Sequence, residues 1–163
     1  MTTGDPADPA TTMGPVIDAA AAEEVERRVN ADVRAGARLL AGGTRDRALV
    51  APTVVDDASP GGPLIGQETF GPVIAIRTFT RADDVIREVN SGRYGLQAGL
   101  FTNDHALIRR FARELQVGGV MVNEGPDYRA EHIPFGGVKS SGLGREGVRI
   151  AIREMSETRV VID

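Results

Sequence analysis

The sequence predicts an α/β fold: a mainly parallel sheet with helices on its faces. Two observations carry that expectation. Short apolar runs alternate along the chain with segments whose apolar residues recur at helical spacing, the signature of strand–helix–strand units. Aromatic residues make up only 4% of the 163 residues and tryptophan is absent. The core must therefore come from the Val, Ile, Leu and Ala that fill those runs. The chain is long enough to bury such a core, and it contains no internal repeat.

The elements follow in order. Residues 1–16 are polar and loop-like. Asp18 is placed to cap a helix running to about Arg34, with Val25, Val29 and Val33 on one face and Gly36 just beyond its end. Arg38–Ala41 and Leu49–Val55 read as strands, the first closed by Gly42 and Gly43. Residues 56–66 form a turn-rich loop. Pro72–Phe79 is a continuous apolar strand interrupted by Arg77. Thr80 is placed to cap a helix to Ser91, with Asp83 at the third position of a short-armed capping box and Val85, Ile86 and Val89 facing inward. A strand over Leu96–Thr102, a helix over Asp104–Leu115 and a strand over Val117–Asn123 come next. A helix over Gly147–Met155 and a final strand over Thr158–Ile162 complete the reading.

Composition narrows the function. A net charge of −4 with interspersed acids and arginines gives no basic face for nucleic acid. No apolar run approaches the roughly 20 residues of a membrane span, and the acidic, proline-rich start does not read as a signal peptide; the expectation is a cytoplasmic protein. Cysteine is absent, which leaves no disulfide framework and no thiolate ligand or nucleophile. His105 and His132 stand far apart in sequence, so no metal site is expected.

The stretch PFGGVKSSGLGREG, residues 134–147, holds five glycines and the single lysine of the chain. Gly142, Gly144 and Gly147 match G-x-G-x-x-G in form. A dinucleotide fingerprint must follow a strand, open a helix and precede a second strand ending in an acid. Here Gly-Val-Lys-Ser-Ser is a poor strand, and 16 residues follow Gly147, too few for the rest of that unit. The glycines read better as scaffold, turning the backbone sharply and bringing it close to other chain.

Four stretches, in order and at agreeing spacing, resemble the aldehyde dehydrogenase superfamily: GDPADPATTMGPVI (4–17), QETFGPV (67–73), VGGVMVNEGPDYRAEHIPFGG (117–137) and PFGGVKSSGLGREG (134–147). The resemblance runs from about Gly4 to the last residue. It implies the second half of that family's catalytic domain, in a truncated form. Residues 1–16 would be a polar N-terminal segment, 17–155 a partial catalytic domain and 156–163 a C-terminal oligomerisation strand. The family mechanism combines thiolate attack on an aldehyde, hydride transfer to NAD or NADP, and thioester hydrolysis. The resemblance places the Rossmann domain, the general-base glutamate, the oxyanion asparagine and the nucleophilic cysteine before Met1. No catalytic residue is therefore assigned to this chain.

What the resemblance leaves here is secondary to the chemistry. It implies that Glu68 accepts hydrogen bonds from the nicotinamide-side ribose hydroxyls, a task suited to a carboxylate, and that Phe70 packs near the nicotinamide. Composition alone would make Glu68 a solvated loop acid; the motif around it reverses that reading. Asp127, Tyr128, Arg129 and His132 fall in the loop that walls the family's substrate tunnel. Arg129 is either a partner for an anionic substrate group or a surface arginine, and Phe135 would be tunnel wall. Asn123 is expected to bond nearby backbone, and Lys139 to be structural. Arg145 and Glu157 match a pair that in some members ties the glycine loop to the last strand.

Three functional readings stay open. The chain is a piece of a NAD(P)-dependent aldehyde dehydrogenase, inactive alone and not expected to bind the cofactor by itself. Alternatively it is a non-catalytic subunit that docks on a full-length or split relative, or forms a homo-oligomer. Or it is a repurposed small enzyme using acids and His132 without a cofactor. The stretch NEGPDYRAEH most resembles members acting on small, oxygenated or anionic aldehydes.

Overall fold

The computed structural model describes residues 1–163, which form two compact units, Met1–Thr80 and Arg81–Asp163.

In the first unit, helix α1 spans Ala19–Arg34. Asp18 caps it, its carboxylate accepting from the Ala21 amide at 2.7 Å, so one of the orphan first-turn donors is satisfied. Strand β1 (Arg38–Ala41), the two-residue strands β2 (Arg45–Asp46) and β3 (Leu49–Val50), and β4 (Thr53–Asp56) follow. A one-turn helix α2 (Pro63–Gly66) and strand β5 (Val73–Ile76) complete the unit. The main sheet has the order β1-β4-β5. β1 runs antiparallel to β4, and β4 runs parallel to β5, with Val55 opposite Ala75. Val29, Ala37, Val55 and Ala58 are buried together, with Val33, Leu64, Ile65, Val73 and Ala75 packed around them. Ala22, Val25 and Val50 form a second cluster against Val16 and Val73. The apolar stripe of α1 is thus what the sheet is built on.

Sequence and structure differ here in two places. The expected strand Leu49–Val55 is broken at Ala51-Pro52. Proline has no N–H for a ladder, and Thr53 instead donates its hydroxyl to the Ala51 carbonyl at 2.7 Å and accepts from the Gly43 amide at 2.9 Å. The expected loop 56–66 contains α2, started by Pro63, whose missing N–H costs nothing in a first turn.

On the surface of α1, Glu24 receives Arg27 at 2.6 Å and Arg28 at 2.7 Å. These hydrogen bonds, that of Arg27 first, hold the Glu24 carboxyl down from 4.5 to about 2.

The second unit contains α3 (Ala82–Ser91), β6 (Tyr94–Gly95), β7 (Gln97–Leu100), α4 (His105–Glu114), β8 (Gly119–Val122), β9 (Val138–Lys139) and α5 (Val148–Glu154). β7 and β8 pair in parallel, and β6 and β9 antiparallel. Asp104 caps α4 by accepting from the Ala106 and Leu107 amides. Ile86 and Phe111 are the large buried side chains. Helices α3 and α4 are tied by Arg110, which bonds both Asp83 and Glu114. Arg110, and after it Arg81, hold the Asp83 carboxyl below its ordinary value.

Three expectations need correction in this unit. Thr80 does not cap α3: Arg81 holds the cap position without a side-chain bond, and Asp83 is engaged by Arg81 and Arg110 instead of the backbone. Val89, expected to face inward, is 37% exposed. Thr158–Ile162 forms no strand and lies exposed, because a strand needs a ladder partner and this chain supplies none there.

Two measurements test this description. Val29→Ala empties a fully buried site and should lower the stability of the first unit by about 2 kcal/mol, read by denaturant titration of the helical circular dichroism. A loss under about 0.5 kcal/mol would place Val29 outside a core. For Glu24 the folded value lies below the unfolded one. Its clamp therefore contributes fully above about pH 4.5 and is lost as pH falls through about 2. Carbon-detected titration of the Glu24 carboxyl should follow that lower midpoint; an ordinary value near 4.5 would refute the clamp.

Candidate functional site

The segment Gln67–Gly71 connects α2 to β5 and presents two side chains outward. The Glu68 carboxylate is exposed, and the Phe70 ring is 79% exposed. The backbone beneath them is held. Arg28 Nη1 donates to the Glu68 carbonyl at 2.6 Å and to Thr69 Oγ1 at 3.3 Å. The Gly71 amide closes a tight turn onto the Thr69 carbonyl at 3.0 Å. Gly71 also lies against Val25 of α1, whose methyls leave no room for a side chain there. Phe70 shares an open apolar cleft with Val16, Ile17, Ala21 and Thr69. This arrangement can offer a flat apolar face beside a carboxylate able to accept from neighbouring hydroxyls.

The second unit gathers the other expected residues in the loop after β8. Asn123 sits at φ 56°, a region asparagine tolerates. Its Oδ1 accepts from the Thr102 amide at 2.9 Å. Arg129 stacks over the Phe135 ring, 4.3 Å from its centroid, and its Nη2 donates to Glu146 at 2.9 Å. Arg129 and Phe135 line a narrow cleft with Gln97, Met121, Ile133 and Pro134. It is no larger than about 10 Å³, room for about one water. Asp127 and Tyr128 are exposed. His132 lies elsewhere, at a shallow apolar hollow with Val148 and Ile152 of α5.

The glycine loop is packed against its own chain. Gly118 passes so close to the Gly136 carbonyl that any Cβ would collide with it. Gly144 turns at φ 73°, where other residues are strained. Lys139 Nζ donates to the Gly92 carbonyl at 2.7 Å and to that of Asn90 at 3.3 Å, closing the end of α3. The Gly95 amide donates to Ser141 Oγ at 2.9 Å. The expected pair of Arg145 with Glu157 is not formed. Arg145 Nη1 donates to the carbonyls of Gly137 at 2.9 Å and Gly144 at 2.7 Å, while Glu157 is exposed. Carbonyls freed by the glycine turns lie nearer to the guanidinium than the chain's end does.

Sequence reading missed two residues. Arg28 holds the Glu68 loop, and Asp32, 1% exposed, accepts from the Leu64 amide at 3.0 Å. The signal was present: Glu24, Arg28 and Asp32 recur every four residues, a polar stripe beside the apolar one at Val25, Val29 and Val33. No three His, Asp or Glu side chains stand together as a metal site would need. No helix is long and apolar enough to cross a membrane.

Comparison with known proteins agrees along the whole chain. Residues 1–161 match the model of the aldehyde dehydrogenase family. The chain is 44% identical over 162 residues to a 3-sulfolactaldehyde dehydrogenase of Priestia megaterium, covering 99% of this chain and 34% of that protein. It is 42% identical over 159 residues to a lactaldehyde dehydrogenase of Methanococcus maripaludis, covering 98% of this chain and 34% of that protein. Among solved structures, aldehyde dehydrogenase 21 of Physcomitrella patens, in complex with the reaction product succinate, superposes with a TM-score of 0.93 at 37% identity, over 99% of this chain and 34% of that one. The glyceraldehyde-3-phosphate dehydrogenase GapN of Methanocaldococcus jannaschii, complexed with NADP, superposes with a TM-score of 0.90 at 43% identity, over 96% of this chain and 34% of that one. The chain thus spans about a third of the length of these relatives. By its motifs, its α/β fold and these matches, it belongs to the aldehyde dehydrogenase family.

Proposed function

We propose that this chain supplies the cofactor-proximal and tunnel-wall part of a NAD(P)-dependent aldehyde-oxidising site and does not oxidise aldehydes alone. The observation that carries the reading is the Gln67–Gly71 loop. Its backbone is held by Arg28, while the Glu68 carboxylate and the Phe70 ring face outward. Those two groups fit the nicotinamide end of a dinucleotide. Glu68 accepts from vicinal ribose hydroxyls and Phe70 packs beside the flat ring. When bound, the cofactor supplies the hydride acceptor of the family's oxidation. Glu68 and Phe70 reach only the nicotinamide end, not the adenine or pyrophosphate, so the isolated chain binds NAD or NADP weakly. The glycine loop does not fill that gap, because it is packed onto its own strand and helix ends.

The chemistry of the family needs a thiolate, and this chain has no cysteine. Its own residues bind and orient. Arg129 is the group we assign to a small oxygenated or anionic aldehyde; the Priestia and Methanococcus relatives are named for 3-sulfolactaldehyde and lactaldehyde. Arg129 and Glu146 are 47% and 67% exposed, so an incoming anion can exchange with the glutamate without uncovering a buried charge. Phe135 holds the guanidinium flat from the other side.

A second reading, association with another polypeptide, is favoured by the exposed apolar tail. Val160, Val161 and Ile162 are 79–91% exposed. Such a β-prone segment gains most by pairing with a strand edge of a second chain, either another copy or an aldehyde dehydrogenase partner.

Two outcomes test these readings. The purified chain, mixed with lactaldehyde or glyceraldehyde 3-phosphate and NAD or NADP, should produce no reduced cofactor at 340 nm. Iodoacetamide silences a contaminating cysteine enzyme but has no thiol to attack here, so turnover that survives both it and repurification would overturn the inactivity. Sedimentation at rising concentration should show self-association that weakens in Val161→Asp. A monomer persisting at high micromolar concentration speaks against the association reading.

A further inference from the structure

Helix α1 carries two stripes with different jobs. Val25, Val29 and Val33 pack on the sheet. Glu24, Arg28 and Asp32 lie one position earlier in each turn; Arg28 and Asp32 contact the segment 62–71, and Glu24 holds Arg28. At one end, Asp32 accepts from the Leu64 amide at 3.0 Å and stands so close to Gly62 that a side chain there would strike its carboxylate. Asp32 thereby caps α2, whose own cap residue Gly62 offers no side chain. At the other end, Arg28, with its side chain 16% exposed, donates to the Glu68 carbonyl and Thr69 Oγ1. Glu24 braces it from behind, holding Nε at 2.7 Å so that Nη1 points at the loop. Both grips are on the backbone or on Thr69; neither consumes the Glu68 carboxylate.

We propose that Arg28, braced by Glu24, and Asp32 are the positioning residues of the cofactor-facing loop, setting from α1 where Glu68 and Phe70 stand. This rests on the reading that Glu68 and Phe70 face the nicotinamide end of the cofactor. The physical reason for such a device is the loop itself. Gln67–Gly71 buries no large side chain, so packing holds it only at its Gly71 end, against Val25. A charge-assisted bond to its carbonyl can hold the rest, and a guanidinium already held at Nε by Glu24 loses little further freedom in making it.

The experiment uses the whole chain, isotope-labelled, with amide exchange as the first readout and titration with NAD and NADP as the second. Arg28→Met keeps the stem and removes every donor. It should speed exchange of the Gln67 and Gly71 amides about tenfold, the scale of one lost charge-assisted bond. The Val55 and Ala75 amides of the sheet should stay as protected as before. Arg28→Lys retains one donor and should fall between. Glu24→Gln, a surface change that leaves Arg28 in place, should give a smaller rise confined to the same amides, and it serves where Arg28→Met fails to fold. In the titration, shifts at Glu68 and Phe70 with millimolar cofactor should shrink in Arg28→Met and partly return in Arg28→Lys. Unchanged loop exchange in both Arg28→Met and Glu24→Gln overturns the positioning role whatever the cofactor does. Raised exchange in a chain whose Glu68 and Phe70 never respond to either cofactor overturns the cofactor reading, and with it the link to the cofactor, while the loop-holding stands.

Discussion

The packing of one helix stripe on a three-stranded sheet governs the first unit. Val25 and Val29 of α1 are buried against Val50, Val55 and their neighbours. Burial of such side chains is the dominant favourable term in a unit this small. It also fixes the rotation of α1 about its own axis, because the stripe has one face to offer the sheet. Once that rotation is set, the adjacent residues Glu24, Arg28 and Asp32 have no choice of direction. They project along the edge where α2 and the Gln67–Gly71 loop pass. The hydrophobic pattern therefore decides more than stability: it decides which polar groups meet the loop that carries Glu68 and Phe70.

The second unit is held differently. Its large buried side chains are Ile86 and Phe111, and its glycine-rich stretches bury their apolar side chains only in part. Turning glycine backbone exposes carbonyls that need donors. The chain supplies them as single long side chains reaching across turns. Asn90 donates to the Glu114 carbonyl and accepts from the Gln116 amide, each at 2.7 Å. Lys139 closes the carbonyl end of α3, where a cation also complements the helix dipole. Arg145 does the same for Gly137 and Gly144. Many such bonds of modest strength give a unit defined by hydrogen-bond geometry more than by a packed interior.

Local signals were legible in the sequence where one residue type had one physical use. Asp18 read as a cap and is one. The valine spacing read as the buried face of α1, and the buried residues bear that out at Val25 and Val29. The four family motifs carried the fold and the position of the Glu68 loop. Legibility failed where two partners competed. Asp83 had a backbone amide and two arginines to choose from, and the arginines won. Arg145 had Glu157 and two nearer carbonyls, and the carbonyls won. Pro52 lacks the ladder donor, and that splits the apolar run into two short strands. The roles of Arg28 and Asp32 were hidden because periodicity shows that a stripe exists and not what passes beside it.

The apolar run from Val73 to Ile76 shows how far one sequence pattern can outrun one structure. A continuous apolar strand is the mark of a sheet covered on both faces. Within this chain Val73 and Ala75 face α1 and are packed, while Ile74 is 63% exposed and Ile76 42%. Phe79, just beyond, is 63% exposed as well. Isolated apolar side chains at a surface need no explanation, but an alternating set on one strand does, because a solvated strand face is ordinarily polar. The same mismatch recurs at the tail, where Val160 to Ile162 have strand composition without a strand. Both features are what association with a second layer of protein would satisfy, and both favour the reading in which this chain works as one part of a larger assembly. In that reading the exposed face of β5 and the exposed face of the Glu68 loop have a common origin. α1 covers one face of the strand, and the other face keeps Ile74 and Ile76 at the surface.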